Sequence, residues 1–429
     1  MLMRSLRRFV AVPAVAATLV CMPAHANIGM ENVGFSARSI GMGGTSIATG
    51  QDTAVMNTNP AALSRVAAGR LDLNAGMMVP DFGFRNGVNN SDGQDTIYML
   101  MSAGYAKRIN DKLTLGIGMF NEGGTGTDYG ILNVDSASFL EGGALGCGAA
   151  CPAEYYSMFG YMVLTPTLAY QVNDQLSLGV SAQIGYGMMR MKMPFFMDTN
   201  ANGFPDMLQA ADMDGNDVNF RAKLGVLYDA GTWGVGAAYT TKSDLNLSGD
   251  ATLVNLADNS VSRMPVEFSI GWPSSFKVGA FWNGKSSGLP LVTVEVQQTN
   301  WSEYLDSIPV NMGGMAMQMR TGWEDQTAFR LGMEYPISRH WDMRFGYTHG
   351  KNPVPDNGIL PIMNPIVEDH ITLGMGYHGM KNMEFNAALE FGLKNTQTGA
   401  MPHNIAPDVM GAEVDMGYWS MMMQFSYLW

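Results

Sequence analysis

Large apolar residues recur at every second position along several stretches in the last third of this 429-residue sequence. The clearest rows run from Phe329 to Tyr335, Trp341 to Tyr347, Ile371 to Tyr377 and Met383 to Phe391, with small or charged residues between the apolar ones. A period of two places successive side chains on opposite faces of a β-strand. The pattern therefore predicts strands that each have one apolar face.

A soluble sandwich and a lipid-facing barrel can both bury apolar strand faces. Hydrophobic residues make up 46% of the chain and charged residues only 15%, and aromatic residues gather at strand ends as in membrane girdles. No stretch after the first 26 residues offers the ~20 apolar residues of a membrane helix, which excludes an inner-membrane helical protein. The sequence favours a transmembrane barrel whose small or charged face lines a lumen.

The lengths of the connections between predicted strands alternate. Short turns fall at Lys107–Lys112, Val172–Gln175, Asp229–Thr232, Asn283–Gly288, Pro336–His340 and His378–Asn382. Longer linkers fall at Asp81–Gly93, Asn121–Ser157, Met191–Asp217, Ala251–Ser262, Ser302–Gln326, Lys351–Asp369 and Lys394–Met416. This alternation is typical of an up-and-down barrel with short periplasmic turns. It predicts an all-β fold of about fourteen antiparallel strands, provided that Arg263 to Trp282 is one strand kinked at Trp272-Pro273.

The first 26 residues have the layout of a secretory signal peptide. Three arginines precede the apolar run from Phe9 to Val20, and Ala24-His25-Ala26 forms an A-x-A cleavage site. We expect Asn27 to begin the mature chain. Loss of three positive charges lowers the formal net charge from −13 to −16, which argues against nucleic acid or anionic lipid as a partner.

The stretch from Gly41 to Leu63 fits neither a strand nor an ordinary helix. Its glycines permit close backbone approach, and Pro60 removes a backbone donor. A phosphate-binding loop is excluded because no strand precedes Gly41 and no Lys-Ser/Thr pair follows. We expect a compact insert that the rest of the chain encloses.

Residues of this insert resemble the N-terminal hatch of the FadL/TodX (OmpP1-type) outer-membrane transporter family. The similar residues are Gly41, Gly43, Asp52, Asn59, Pro60 and Ala61, and Asn300-Trp-Ser, Trp323–Tyr335, Trp341–Tyr347 and Pro353-Val-Pro355 resemble the family's C-terminal half. The resemblance implies a fourteen-stranded barrel, here residues 67–429, plugged by a hatch at residues 27–66. It implies gating residues in the hatch, Gly41, Gly43, Asn59, Pro60 and Ala61.

The resemblance also implies a lateral gap in the wall, made by a kinked early strand that contacts the Asn-Pro-Ala box. The third strand, Leu113 to Phe120, continues into Gly123, Gly124 and Gly126, which are our candidates for the opening. The alternative is that these glycines only bend the wall or begin an outer loop.

Three further groups are candidate sites. Cys147 and Cys151 lie in a long linker placed outside the cell, where a disulfide is favoured. A methionine- and phenylalanine-rich group is expected to form an exposed, adaptable entry surface for hydrophobic ligands; its members are Met191, Met193, Phe195, Phe196 and Met197. Asp198, Asn200, Asn202 and Asp206 have the spacing of oxygen ligands in a calcium loop, but Gln209 replaces the usual glutamate, so a solvated acidic loop is favoured over a calcium site.

None of the six histidines lies in a recognisable Ser, Cys or HExxH context, so we expect no enzyme and no cofactor. The leading hypothesis is passive outer-membrane transport of long-chain fatty acids or hydrocarbons by a monomer in a Gram-negative cell. The expected partners are the hydrophobic ligand, outer-membrane lipid and lipopolysaccharide, and the barrel assembly machinery that recognises the terminal Trp429. A general porin for polar solutes and a surface adhesin or receptor are the alternatives.

Overall fold

The computed structural model of the chain describes residues 28–66, 69–140, 150–199 and 202–429. The signal peptide predicted for residues 1–26 lies outside the described residues. In the described part of the chain, no helix is long and apolar enough to cross a membrane.

Within these residues the chain forms nineteen strands and a few short helices. The strands are β1 Gly69–Arg85, β2 Asn90–Asp92, β3 Tyr98–Arg108, β4 Leu113–Asp135, β5 Ala150–Gln171, β6 Leu176–Met197, β7 Met207–Asp229, β8 Trp233–Thr240, β9 Ser243–Asn255, β10 Val261–Trp272, β11 Ser275–Asn283, β12 Leu291–Thr299, β13 Ser307–Met312, β14 Met315–Arg320, β15 Gln326–Pro336, β16 Trp341–Gly350, β17 Asp369–Met380, β18 Met383–Thr398 and β19 Glu413–Leu428. The α-helices are α1 Ala37–Gly41, α2 Ser136–Phe139 and α3 Ser302–Leu305, and the 3₁₀ helices are η1 Thr53–Asn57, η2 Pro60–Arg65, η3 Lys285–Ser287 and η4 Pro407–Val409.

Fourteen of these strands form a closed antiparallel wall, in the order β1, β3, β4, β5, β6, β7, β8, β11, β12, β15, β16, β17, β18 and β19. The last strand pairs with the first from Arg70↔Leu428 to Arg85↔Glu413, which closes the barrel. Closure supplies hydrogen-bond partners for backbone groups that would otherwise face lipid. The predicted fold and strand count are confirmed.

The predicted single strand from Arg263 to Trp282 consists of β10 and β11, separated at Pro273 and Ser274. β11 pairs with β8 and β12 in the wall, whereas β10 pairs with β9 and β13 beyond it. Proline cannot donate a ladder hydrogen bond, so the pairing is interrupted there while the chain continues in the same direction. The interpretation as one kinked strand is confirmed.

Several predicted long linkers are strands rather than loops. β4 continues to Asp135 although a linker was expected from Asn121, and the β6–β7 ladder reaches Met197↔Met207. Beyond the membrane neither face of a strand must contact lipid, so the apolar alternation fades while the backbone pairing persists. The expected boundaries of these linkers are therefore wrong.

The two faces of the wall differ as the alternation predicts. Phe329 and Met343 are 55% and 52% exposed on the outer face, whereas Arg330 and Glu334 are buried in the lumen. The short turns are all at one rim, and the extended hairpins are at the other. We assign the short-turn rim to the periplasm.

Residues 28–66 fill the lumen and are almost entirely buried. Their backbone is held from several sides of the wall: Ala37 N–H donates to Asn74 of β1 at 3.3 Å, and Ile47 N–H donates to Glu295 of β12 at 2.5 Å. These contacts place the segment inside the barrel as the predicted plug, which we call the hatch. Its exact boundary, residues 27–66, stays a prediction.

Candidate functional site

The glycine run of the hatch lies against β15, β16 and β17. Gly43 N–H donates to the Thr372 hydroxyl at 3.0 Å, and Thr348 donates to the Gly43 carbonyl at 2.7 Å. Gly43 has a φ of +63°, and a Cβ there would lie 2.9 Å from the Leu331 carbonyl. A glycine is therefore required for the hatch to reach the wall at this point.

The Asn59-Pro60-Ala61 box is held by β6 and β7 on another side of the lumen. Asn59 donates to the carbonyls of Ile47 and Val226 at 2.7 and 3.0 Å, and its side-chain oxygen caps η2 by accepting from Ala61 N–H. A Cβ on Gly179 would lie 2.3 Å from the Ala61 nitrogen. The box fixes the hatch close to the periplasmic rim.

A buried ionic cluster joins the hatch to the wall near the glycine run. Glu334 of β15 accepts from Arg38 at 2.8 Å and from Arg344 at 2.6 Å, and it also pairs with Lys285. Arg38 belongs to α1 of the hatch, so this carboxylate is shared between plug and barrel. Buried ion pairs of this kind position groups strictly, because a lost partner leaves an unpaired charge.

β4 changes its surroundings at Phe120. The β3–β4 ladder ends at Ser102↔Phe120, and the alternation of buried and exposed residues in β4 ends at the same level. Residues Asn121–Thr127 are all buried, so this part of β4 bends away from the lipid-facing surface. The wall closes again higher up, where Gln94 N–H donates to the Asp128 carbonyl at 2.7 Å. The β3–β4 ladder does not extend into the interval between these levels, Asn121–Thr127 of β4, and we call this interval the β3–β4 gap.

The bent part of β4 pairs with the hatch instead of β3. Asn32 N–H donates to the Glu122 carbonyl at 3.1 Å, and Gly124 N–H donates to the Met30 carbonyl at 2.9 Å. Glu31 forms a bridge with Gly123. Two of the predicted opening residues, Gly123 and Gly124, therefore lie where the hatch replaces a wall strand.

The side chain of Glu122 holds the bend in β4 in place. Its carboxylate accepts from Asn57 at 2.6 Å and lies 2.5 Å from the Arg221 guanidinium, and all three side chains are buried. Within the hatch, the bend forms hydrogen bonds with Met30, Asn32 and Asn57, whereas β6 and β7 hold the Asn-Pro-Ala box. A contact between this box and the kinked strand stays a prediction.

A narrow apolar cavity lies beside the bend. Its lining includes Met30 of the hatch, Thr125 of β4, Ser157, Met158, Phe159, Met189, Met191, Phe268, Ile270, Ile308, Met319, Ile362 and Met363. Its volume is about 30 Å³, so only water-sized molecules fit without movement of the lining. Six of the lining residues are methionines, whose unbranched side chains adapt easily to a new occupant.

An aromatic cluster continues from this cavity into the lumen. Phe159, which lines the cavity, is 6.4 Å from Trp272 between ring centroids, and Trp272 stacks on Tyr161 at 4.7 Å. Trp301 adds an edge-to-face contact with Trp272 at 5.8 Å. The Arg221 guanidinium lies 5.2 Å from the Tyr161 ring centroid, which joins the cluster to the Glu122 anchor.

The five predicted ligand-entry residues lie at the outer end of β6. Met191 lines the cavity, Met193, Phe195 and Phe196 are also buried, and Met197 is half-buried. The expectation of an exposed entry surface is therefore wrong. The connection between β18 and β19 covers this end of β6 and accepts a backbone hydrogen bond from it.

The carboxylates of the predicted calcium loop accept hydrogen bonds from backbone groups of the same loop. Asp206 accepts from Thr199 N–H at 2.8 Å, and Asp198 accepts from Gly203 N–H at 2.7 Å. Asn200 lies outside the described residues. Among the residues that the structure describes, no group of three or more His, Cys, Asp or Glu side chains forms a metal site.

The predicted disulfide falls partly outside the described residues, because Cys147 belongs to the segment 141–149. Cys151 is disulfide-bonded and fully buried. The pairing of Cys147 with Cys151 stays a prediction.

Sequence reasoning missed Met30, Glu122, Arg221 and Trp272. They come from distant parts of the chain, and their roles depend on the bend in β4 and the position of the hatch. The sequence signal for this bend is Glu122, which stands beside Gly123 and Gly124 of the third strand. The alternation of a strand does not distinguish this glutamate from any other residue that faces the lumen.

A closed lipid-facing barrel with a plugged lumen, an apolar cavity and a gap in its wall defines an outer-membrane transporter for hydrophobic compounds. The chain belongs to the outer membrane protein transport protein family (OMPP1/FadL/TodX), whose model matches residues 19–405. This family membership confirms the resemblance and the outer-membrane location inferred from the sequence.

Solved structures of similar fold include two toluene transporters and a FadL homologue. The toluene transporter TodX of P. putida has a TM-score of 0.76 at 19% identity, with 92% of this chain and 99% of that chain covered. A Pseudomonas aeruginosa FadL homologue has a TM-score of 0.76 at 14% identity, with 93% and 99% covered. The toluene transporter TbuX of Ralstonia pickettii has a TM-score of 0.72 at 20% identity, with 92% and 99% covered.

A sequence relative is alkane uptake protein A of Marinobacter nauticus, which is 23% identical over 176 residues. The match covers 38% of this chain and 38% of that protein. It therefore spans well under half the length of the relative.

Proposed function

We propose that this protein carries uncharged hydrophobic small molecules, hydrocarbons above all, across the outer membrane by passive binding and lateral release. The substrate binds in the methionine-lined cavity and leaves through the β3–β4 gap into the membrane. The observation that carries this proposal is the change of partner by β4, which leaves β3 at Ser102↔Phe120 and pairs with Met30 and Asn32 of the hatch.

Lateral release follows from the chemistry of an apolar substrate. Each Å² of apolar surface exposed to water costs about 25 cal/mol, so a long alkyl chain that enters the periplasm loses several kcal/mol. A route from the cavity into the neighbouring bilayer avoids most of this cost. The bend in β4 supports such a route because it borders both the cavity, through Thr125, and the gap.

The lining of the cavity favours an uncharged substrate over a fatty acid, because none of its lining residues carries a charge. Near the bend, Arg221 lies 2.5 Å from Glu122 and Lys277 lies 2.5 Å from Glu31, whereas Lys223 donates to the Asn57 carbonyl. A buried carboxylate without a cation is strongly disfavoured. The names of two similar proteins, a toluene transporter and an alkane uptake protein, agree with this preference.

Long-chain fatty acids and a general porin activity remain the competing functions. A fatty acid brings a carboxylate into a cavity whose lining residues are uncharged. A polar solute must pass the hatch, whose residues 28–66 fill the described lumen. A polar solute does not require an apolar cavity, whereas the alkyl chain of a fatty acid does.

Entry of a substrate requires movement of the cavity lining. The cavity volume of about 30 Å³ holds a water-sized molecule and is too small for a hydrocarbon such as toluene or octane. Thioether side chains change rotamer at little cost, so the six methionines can make room without unfolding the wall. A filled cavity therefore blocks transport.

The test is uptake of labelled octane, toluene and oleate by a deletion strain that produces either the wild type or Met319→Trp. Met319 is 4% exposed and lines the cavity, whereas Met315 on the same strand is 52% exposed and gives the matched control Met315→Trp. We expect Met319→Trp to reduce hydrocarbon uptake about tenfold and Met315→Trp to leave it unchanged. Equal uptake by both variants contradicts the cavity route, and uptake of oleate in preference to octane assigns the fatty-acid function.

A further inference from the structure

The lipid-facing wall carries a groove that the transport route does not use. It crosses β16, β17, β18, β19 and β1 and has a volume of about 520 Å³. This volume falls within the range of about 300–1,000 Å³ that is usual for small-molecule sites. Its lining residues Leu73, Phe385 and Met423 are 47%, 40% and 56% exposed on the outer face of the barrel. The groove therefore faces the bilayer and not the lumen.

The strand register shows why the groove exists. Toward the periplasm it is bordered by the row Leu73, Phe425, Phe385, Tyr377 and Trp341, which are paired in sequence across the five strands. The next row is Ala75, Met423, Ala387, Met375 and Met343, and the row beyond it is Met77, Met421, Leu389, Leu373 and Phe345. Ala75 and Ala387, one on each side of Met423, are the low floor of this middle row, between two rows of large side chains.

The position of the groove limits what can occupy it. The aromatic row marks the membrane interface, so the alanine floor lies just inside the hydrocarbon layer of the periplasmic leaflet. Water has no hydrogen-bond partners on such an apolar surface, whereas hydrocarbon fills it favourably. Five strands spaced about 4.8 Å apart give a groove about 19 Å long. Its shape and chemistry fit an alkyl chain.

Two cations lie at the periplasmic end of the same strands. Arg339 is in the turn before β16, and Lys381 is in the turn before β18; both are exposed. The neighbouring carboxylate of Asp342 points inward, 3.6 Å from His378 and 3.9 Å from Arg344. None of the ion pairs formed by described residues includes Arg339 or Lys381, so both cations are available to an external anion.

We propose that this groove binds one phospholipid of the periplasmic leaflet, with an acyl chain over Ala75 and Ala387 and an anionic headgroup at Arg339 and Lys381. The overall negative charge of the chain does not oppose this site, because charges beyond about 10 Å are largely screened at physiological salt. The headgroup interacts with the nearby side chains of Arg339 and Lys381 rather than with the net charge of the whole chain. The groove ends at β1, whose Ala75 pairs with Met101 of β3, so the lipid lies one strand away from the β3–β4 gap.

Native mass spectrometry of the barrel extracted from outer membranes tests this proposal. We expect one retained phospholipid per wild-type barrel and at least a fivefold loss of that adduct in Ala387→Phe, which fills the floor. Ala237 of β8 is half-buried on the outer face elsewhere in the wall, so Ala237→Phe is the matched control and keeps the adduct. Heat-modifiable gel migration identifies variants that remain folded, and Ala75→Phe replaces Ala387→Phe if the latter does not fold.

The headgroup assignment has its own measurement. Barrels reconstituted in equal mixtures of phosphatidylglycerol and phosphatidylethanolamine are expected to retain the anionic lipid preferentially. Arg339→Gln and Lys381→Gln each reduce this preference about fivefold, in line with about 1 kcal/mol per basic residue at a lipid surface. The absence of a lipid adduct, an adduct that survives Ala387→Phe, or a dimer of barrels that Ala387→Phe abolishes overturns the proposal.

Discussion

The Lys277 ammonium lies 2.5 Å from the Glu31 carboxylate, and this buried pair joins β11 of the wall to the first residues of the hatch. Gln297 of β12 also donates to Glu31 at 2.6 Å. Glu31 stands between Met30 and Asn32, whose backbone groups hold the bend in β4. One ion pair therefore couples the seal of the lumen to the shape of the gap.

Loss of this pair is expected to loosen the hatch. Lys277→Met leaves Glu31 buried without its cation, which costs about 3–5 kcal/mol for a pair of this kind. We expect higher conductance of small ions in planar bilayers, with deletion of residues 32–63 as the fully open reference. The double variant Glu31→Gln with Lys277→Met removes both charges and is expected to restore most of the seal. Wild-type conductance in Lys277→Met contradicts the coupling.

Glycine is required at position 43 for two reasons, a positive φ and a close contact with the wall, and substitutions can separate their effects. Gly43→Ala combines a positive φ with a Cβ 2.9 Å from the Leu331 carbonyl, whereas Gly231→Ala has a φ of +85° and no atom within 4 Å of its Cβ. We expect Gly231→Ala to cost about 1 kcal/mol from conformation alone. Gly43→Ala is expected to cost more and to release the hatch, measured as protease sensitivity of residues 28–66. Equal, small effects of both substitutions show that the hatch contact is loose.

The β18–β19 connection is expected to respond to pH through Asp408. Burial raises the pKa of this carboxyl to about 7, with a further contribution from the nearby Asp135 charge. Because the folded-state pKa lies above the unfolded value of about 3.9, the stabilisation is complete below pH 4 and is lost as the pH rises toward 7. Limited proteolysis of this connection should accelerate across that range in the wild type relative to Asp408→Asn at each pH. Parallel rates in the two proteins contradict this account.

The wall of the barrel was predictable because lipid imposes a period-two contrast on every strand that crosses it. Phe329 faces lipid and Arg330 faces the lumen, and that difference is visible in the sequence. The extracellular extensions, such as the β13–β14 hairpin within the predicted linker Ser302–Gln326, lack this constraint, so the sequence predicts loops there. The cavity was not predictable either, since it brings Met30, Thr125 and Met319 together through the bend in β4 and the position of the hatch.

We expect substrate to leave through the β3–β4 gap, and a disulfide across the gap tests this route. Continuation of the ladder beyond Ser102↔Phe120 would oppose Met101 to Asn121, so Met101→Cys with Asn121→Cys seals the gap when oxidised. Ala103→Cys with Met119→Cys bridges residues that already pair, and it serves as the control that seals nothing new. Mass spectrometry verifies each crosslink.

The measurement is uptake of labelled octane by cells that carry each oxidised pair, repeated after reduction. We expect the crosslink between positions 101 and 121 to lower uptake to the level of the deletion strain, reduction to restore uptake, and the control crosslink to have no effect. Binding of octane to the purified, crosslinked barrel should be retained. Full uptake through a verified seal at the gap would contradict lateral release.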